Sequence, residues 1–89
     1  MTINDNTAIQ ELNDMQKQIE DLENEWTKAF KSGDQKKADR LDRKIELLLA
    51  MRHGMEAMLT SLKIGFNRKD YRTVDLNGDW AVHTVWSLI

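Results

Sequence analysis

No cysteine occurs among the 89 residues, which removes disulfides, thiolate metal sites and cysteine nucleophiles together and fits a reducing compartment. No apolar run approaches the roughly 20 residues of a membrane span. The opening MTINDNTAIQELND has acidic and amide residues where a signal peptide has a basic start and an apolar stretch, so the expected location is cytoplasmic. No catalytic or ligand-binding motif stands in the chain. A domain of this length buries only about 60 to 65% of its unfolded surface, and with no disulfide to staple it, self-association is the expected source of added stability.

Charge is nearly balanced overall, at −2, but unevenly placed. Residues 1–25 hold seven acids and only Lys17, whereas residues 26–46 and 47–74 each carry a net +3. An acidic start and a basic middle can pair within the chain or attract partners of either sign.

The acidic start carries Ala8, Leu12, Met15, Ile19, Leu22, Trp26 and Ala29 at alternating steps of four and three, the seam of a coiled coil. Thr7 with Gln10 has capping-box spacing, with Asn4, Asp5 and Asn6 as competing caps, so a helix is expected over about 7–31. Gly33 suits the left-handed residue that closes a helix, and Asp34 suits the cap that opens the next, making 32–34 a turn. The seam resumes at Ala38, Leu41, Ile45 and Leu48, is broken by Arg52, and continues at Met55, Leu59, Leu62 and Phe66. With Gly65 as a stop, the second helix is expected over about 35–64. So short a turn forces antiparallel neighbours, placing Trp26 near Leu41, Ile19 near Leu48, Met15 near Arg52 and Leu12 near Met55. Arg52 would then lie within reach of Glu11 or Asp14, a buried salt bridge fixing the register.

After Gly65 the period changes. YRTVDL and DWAVHTV flank Asn77-Gly78, a strong hairpin signal, whereas Val82, Val85, Trp86 and Ile89 also match helical spacing. Residues 71–89 are therefore expected to form a β-hairpin or a short helix, with Trp80, Val82 and Trp86 packed on the helices or on another subunit. The expected fold is a single mainly α domain over 1–89: a long antiparallel, coiled-coil-like helical hairpin with this small C-terminal element packed on it.

Candidate chemistry is sparse. Asp75-Leu76-Asn77-Gly78-Asp79 opens like a calcium loop, but its glycine falls one place early, Trp80 takes the sharp-turn position and Trp86 stands where a bidentate glutamate belongs. His53 and Glu56 share a helix face, and a metal site needs more ligands than these. No metal, no cofactor and no enzymatic activity are expected. Lys36, Lys37, Arg40, Arg43 and Lys44 form a basic helix face on which a nucleic acid or a small anionic nucleotide is the alternative reading, weakened by the interleaved Asp39 and Asp42.

An apolar surplus remains. Leu47, Leu49, Met51 and Met58 lie off the seam, and with Trp26, Phe30, Met55, Trp80 and Trp86 they are the expected interface residues. The reading is a non-catalytic protein-binding module, a small regulator, inhibitor or adaptor acting through helical surfaces, expected as a homo-oligomer with another protein as further partner and no membrane. In size, in having neither cysteine nor proline and in lacking a site motif, the chain resembles the small accessory proteins that bacteriophages use against host machinery. That resemblance rests on no specific motif, and it implies an inhibitor of a host enzyme or defence complex.

Overall fold

The two apolar seams produce two long helices. The computed structural model describes residues 5–74 and 78–89, with α1 at Asp5–Lys31, α2 at Gln35–Ser61, β1 at Phe66–Val74 and β2 at Trp80–Leu88. The helices pack antiparallel as a hairpin, and β1 and β2 form an antiparallel two-stranded sheet. The tail is therefore strand and not helix. α1 begins at Asp5, so Thr7 and Gln10 lie within it rather than capping it.

Both helices end in the same way. Ser32, Gly33 and Asp34 close α1 with Gly33 at φ +79° and backbone bonds from Gly33 N to Phe30 O and from Asp34 N to Ala29 O. This is the double-bonded stop made by a left-handed residue. Asp34 then caps α2, its Oδ1 accepting from Lys37 N at 3.1 Å. At the far end, Lys63 at φ +58° takes the place Gly33 has in the first turn, with Lys63 N bonded to Thr60 O and Ile64 N to Leu59 O. The expected stop at Gly65 is thus two residues late. Gly65 instead lets Ile89 close over it, since a Cβ there would sit 3.2 Å from Ile89 Cδ1.

The core runs in two clusters along the hairpin. Near the turn, Ala29, Ala38 and Leu41 are buried with Leu22 and Trp26 against them. At the open end Ala8, Ile9, Leu12 and Leu59 surround Trp86, with Met55, Ile64, Phe66 and Leu88 packed around them. In the sheet Phe66 faces Leu88 and Arg68 faces Trp86 across the strands, so the even-numbered residues share the face turned to the helices. Trp86 is only 1% exposed. Burying an indole of roughly 150–250 Å² contributes at most about 4–6 kcal/mol, enough to dock an otherwise marginal hairpin.

α1 is apolar or neutral on two faces. Ala8, Leu12 and Ile19 turn to α2, while Ile9, Asn13 and Gln16 turn toward the sheet. β2 lies along α1, and Asn13 holds its edge: Trp86 N donates to Asn13 Oδ1 at 2.9 Å and Asn13 Nδ2 donates to Trp86 O at 3.0 Å. An asparagine side chain presents the same donor and acceptor as a peptide group, so Asn13 serves β2 as one residue of a neighbouring strand.

Candidate functional site

The docked sheet leaves the opposite side of the hairpin bare. On α2 and at its C-cap, Leu47, Met51, Met58 and Leu62 are between 40 and 63% exposed. At 100° per residue they fall with Gly54 within one narrow stripe, about 20 Å long, roughly a third of a turn away from the line that faces α1. Nothing lies within 4 Å of where a Gly54 Cβ would be. Beside the stripe runs a shallow groove of about 340 Å³ whose lining includes Glu11, Asp14 and Gln18 of α1 and Leu48 and Met51 of α2. Continued toward the N-terminus of α2, the stripe becomes basic, through Lys44, Arg40 and Lys36. This side therefore offers acid along α1, cation on the first half of α2 and apolar surface on the second.

On the other side, the sheet touches the helices firmly at its Trp86 end and stands away from them at its Trp80 end. A cleft of about 520 Å³ opens there, its lining including Leu49, Arg52, Arg68, Arg72, Trp80 and Thr84. Arg52 and Arg68 both lie over the Trp86 ring, with Cζ at 5.6 and 5.7 Å from the centroid, an arrangement favoured by the negative face of the indole. Arg52 Nη1 donates to the buried Gln16 Oε1 at 2.6 Å. Arg68 Nη1 pairs with Glu56 at 3.1 Å, and Arg68 Nε reaches Asp70 Oδ1 at 3.4 Å. Thr84 Oγ1 donates to Asp70 Oδ1 at 2.8 Å, and this bond, together with the nearby Arg68 and Arg52 charges, holds the Asp70 carboxyl below the usual carboxylate range. The row Glu56, Arg68, Asp70 and Thr84 is a polar clasp tying the sheet to α2. Arg72 has no ion-pair partner among the described residues.

Desolvation, and then the neighbouring Glu20 charge, push the Glu23 carboxyl above its ordinary range, with Arg52 pulling the other way. Glu20 itself meets His83 Nδ1 at 2.6 Å, a second tie between α1 and β2, and Lys31 pairs with Asp79 at 3.0 Å, pinning the tip of the hairpin.

Set against these positions, the expected interface residues divide. Leu47, Met51 and Met58 are exposed on the stripe, and Phe30 and Trp80 are exposed elsewhere, Trp80 at 80%. Trp26 is half-buried and stacks on Phe30 with ring centroids 5.1 Å apart. Leu49 is half-buried on the cleft side. Trp86 is buried in the core, where the sheet folds back onto its own helices, and Met55 is partly buried against it. The expected bridge from Arg52 to Glu11 or Asp14 is replaced by the bond to Gln16: Arg52 turns to the sheet side, where the indole attracts it, while Glu11 and Asp14 line the opposite groove. Lys36, Lys37, Arg40, Arg43 and Lys44 are all exposed, and Lys36, Arg40 and Arg43 ring a depression that they share with Asp39. Glu56, paired with Arg68, is not joined to His53. Asp75 and Asn77 of the calcium-like and Asn-Gly readings lie outside the described residues; Gly78 has φ +79°.

Asn13, Gln16 and Arg68 were not singled out by sequence reasoning. The signal for the first two was present as polar residues at the margin of an apolar seam, which reads as ordinary surface until a strand is known to lie there. No family model, curated protein or solved structure matches the chain.

Proposed function

We propose that the protein is a non-catalytic protein-binding module whose working surface is the bare face of α2, and that a second copy of the chain is its first occupant. The observation that carries this reading is the exposed stripe Leu47, Met51, Gly54, Met58, left uncovered after the tail has docked on the opposite side. Its spacing, four then three then four, reads the same in both directions. A twofold axis beside residues 52 and 53 would set Leu47 against Met58 of the second copy and Met51 against Gly54 of the second copy, large against small. Flexible methionines beside a glycine gap suit such close packing, and isologous pairing is the commonest way a small chain gains buried area. Acting as a regulator or inhibitor, the assembly would work by covering a target's surface and not by chemistry.

Light scattering across a concentration series tests this. The expected result is a dimer or larger assembly for the natural chain and a monomer with unchanged helix content for Leu47→Asp and Met58→Asp. Gly54→Leu gives an independent check. Inside one protomer the added Cβ has nothing within 4 Å among the described residues, and the helix gains about 0.8 kcal/mol in propensity, yet the close approach is blocked and association should fall. A natural chain that is monomeric at all concentrations, or variants that associate unchanged, would overturn the reading.

A further inference from the structure

The two edges of the sheet are treated differently. The edge of β2 is covered by α1 and fastened through Asn13, as described above. Among the described residues the main chain of β1 is bonded to that of β2 alone, and every residue from Asn67 to Val74 is exposed. Because Ile89 N bonds to Gly65 O and Trp86 directs both its main-chain groups to Asn13, the odd-numbered residues of β1 face β2. The even-numbered ones, Arg68, Asp70 and Arg72, therefore point their N–H and C=O groups outward. Among the described residues no other main chain or side chain takes these groups. A nine-residue strand in this state is a template for a further strand.

Charge decides what can lie there. On β1 itself Arg68, Lys69 and Arg72 stand beside one acid, Asp70, which is already held by Thr84 and Arg68, while Arg68 is also paired with Glu56 of α2, so Lys69 and Arg72 carry the unbalanced charge. Two copies pairing antiparallel through β1 about Asp70 would set Arg68 against Arg72 and Asp70 against Asp70, and like charges directly opposite are destabilising. The edge thus rejects itself and fits the opposite sign. We propose that the outer edge of β1 binds an extended acidic segment of another protein as a third strand, with carboxylates four residues apart opposite Arg68 and Arg72. Arg72, with no ion pair among the described residues, is the principal contact, and the segment's inward side chains would meet the mouth of the cleft beneath Arg72 and Trp80. A third strand also turns a marginal two-stranded ribbon into a stable sheet. This surface lies on the opposite side of the molecule from the stripe of α2, so it stands or falls separately from the proposed assembly.

The probe is a fluorescein-labelled, nine-residue peptide alternating threonine and valine with two glutamates four apart, titrated against the full-length chain by fluorescence anisotropy. Binding that weakens with salt is expected, with a roughly tenfold loss for Arg72→Glu and little change for Leu47→Asp. A peptide with lysines in place of the glutamates should not bind. Two N-methylated versions of the acidic peptide, blocking alternate sets of backbone N–H groups, separate strand pairing from simple charge attraction: one set faces β1 and its methylation should abolish binding, whereas the other set should tolerate it. Equal affinity for the two, no binding of the acidic peptide, or tighter binding of a single-stranded oligonucleotide that displaces it would each overturn the proposal.

Discussion

Replacing Asn13 by alanine should loosen the sheet from the helices although it removes no apolar surface. Two hydrogen bonds join Asn13 to the Trp86 backbone, at 2.9 and 3.0 Å. A bond of this kind contributes about 0.5–1.5 kcal/mol net, and an N–H or C=O left unsatisfied in a buried place costs about 1–3 kcal/mol. Asn13 is half-buried, so water can replace part of the loss, and the expected destabilisation is about 2–3 kcal/mol. The whole stability of a domain of this length is on the order of 4–13 kcal/mol, so the change is a large part of it. Urea unfolding followed by tryptophan emission reads it directly, and amide exchange at Trp86 locates it. Asn13→Asp gives the sign. At neutral pH a carboxylate accepts from Trp86 N but faces Trp86 O with no proton to donate, so this variant should be nearly as damaged as Asn13→Ala. On acidification it should recover relative to the natural chain as its carboxyl gains the missing donor. An Asn13→Ala variant within about 0.5 kcal/mol of the natural chain, with Trp86 N–H exchange unchanged, would refute the view that this side chain holds the strand edge.

Two further outcomes rest on single positions. Lys63→Gly should stabilise by about 0.5–1 kcal/mol, because a residue with a Cβ at φ +58° is strained where glycine is not, and the change is read as a higher urea midpoint at constant slope. Glu23→Gln should give a small gain at neutral pH, since the folded state favours the protonated form of this carboxyl. With a folded pKa above the unfolded one, its contribution is fully present below the ordinary carboxylate pKa and is lost as pH rises through the raised value. The difference between variant and natural chain should therefore close on acidification, and a difference that widens instead would contradict the assignment.

Helix one, helix two and the turn between them were legible because each rests on a local rule: a seam at steps of three and four, a glycine that accepts positive φ, an aspartate that caps. The β-hairpin was legible as one of two options, since a stretch with Val82, Val85 and Trp86 satisfies both periods. Its starting point was missed by five residues because Phe66 and Arg68 look like the end of a helix and its basic flank. What stops α2 at Ser61 is a lysine in the left-handed region, a choice that side-chain chemistry does not announce. The even-numbered residues of β1 and β2 then fall on one face, and Trp86 rather than Trp80 is carried into the core.

The destination of Trp86 also explains why the candidate surfaces were only partly readable. Arg52 broke the apolar seam, and the nearest acids by helix pairing were Glu11 and Asp14; the competing attraction, an indole brought from 34 residues later in the chain, has no local signature. Once Trp86 is inserted, Arg52 and Arg68 close over it and Gln16 must face Arg52. The sheet is thereby committed to the side of the hairpin lined by Ile9, Asn13 and Gln16, and the stripe of Leu47, Met51 and Met58 is left on the other. The two bare surfaces are thus not independent accidents of composition. Both follow from one docking event, which buries the face of the sheet and the edge of β2 and leaves the far edge of β1 and the far side of α2 to whatever the protein meets.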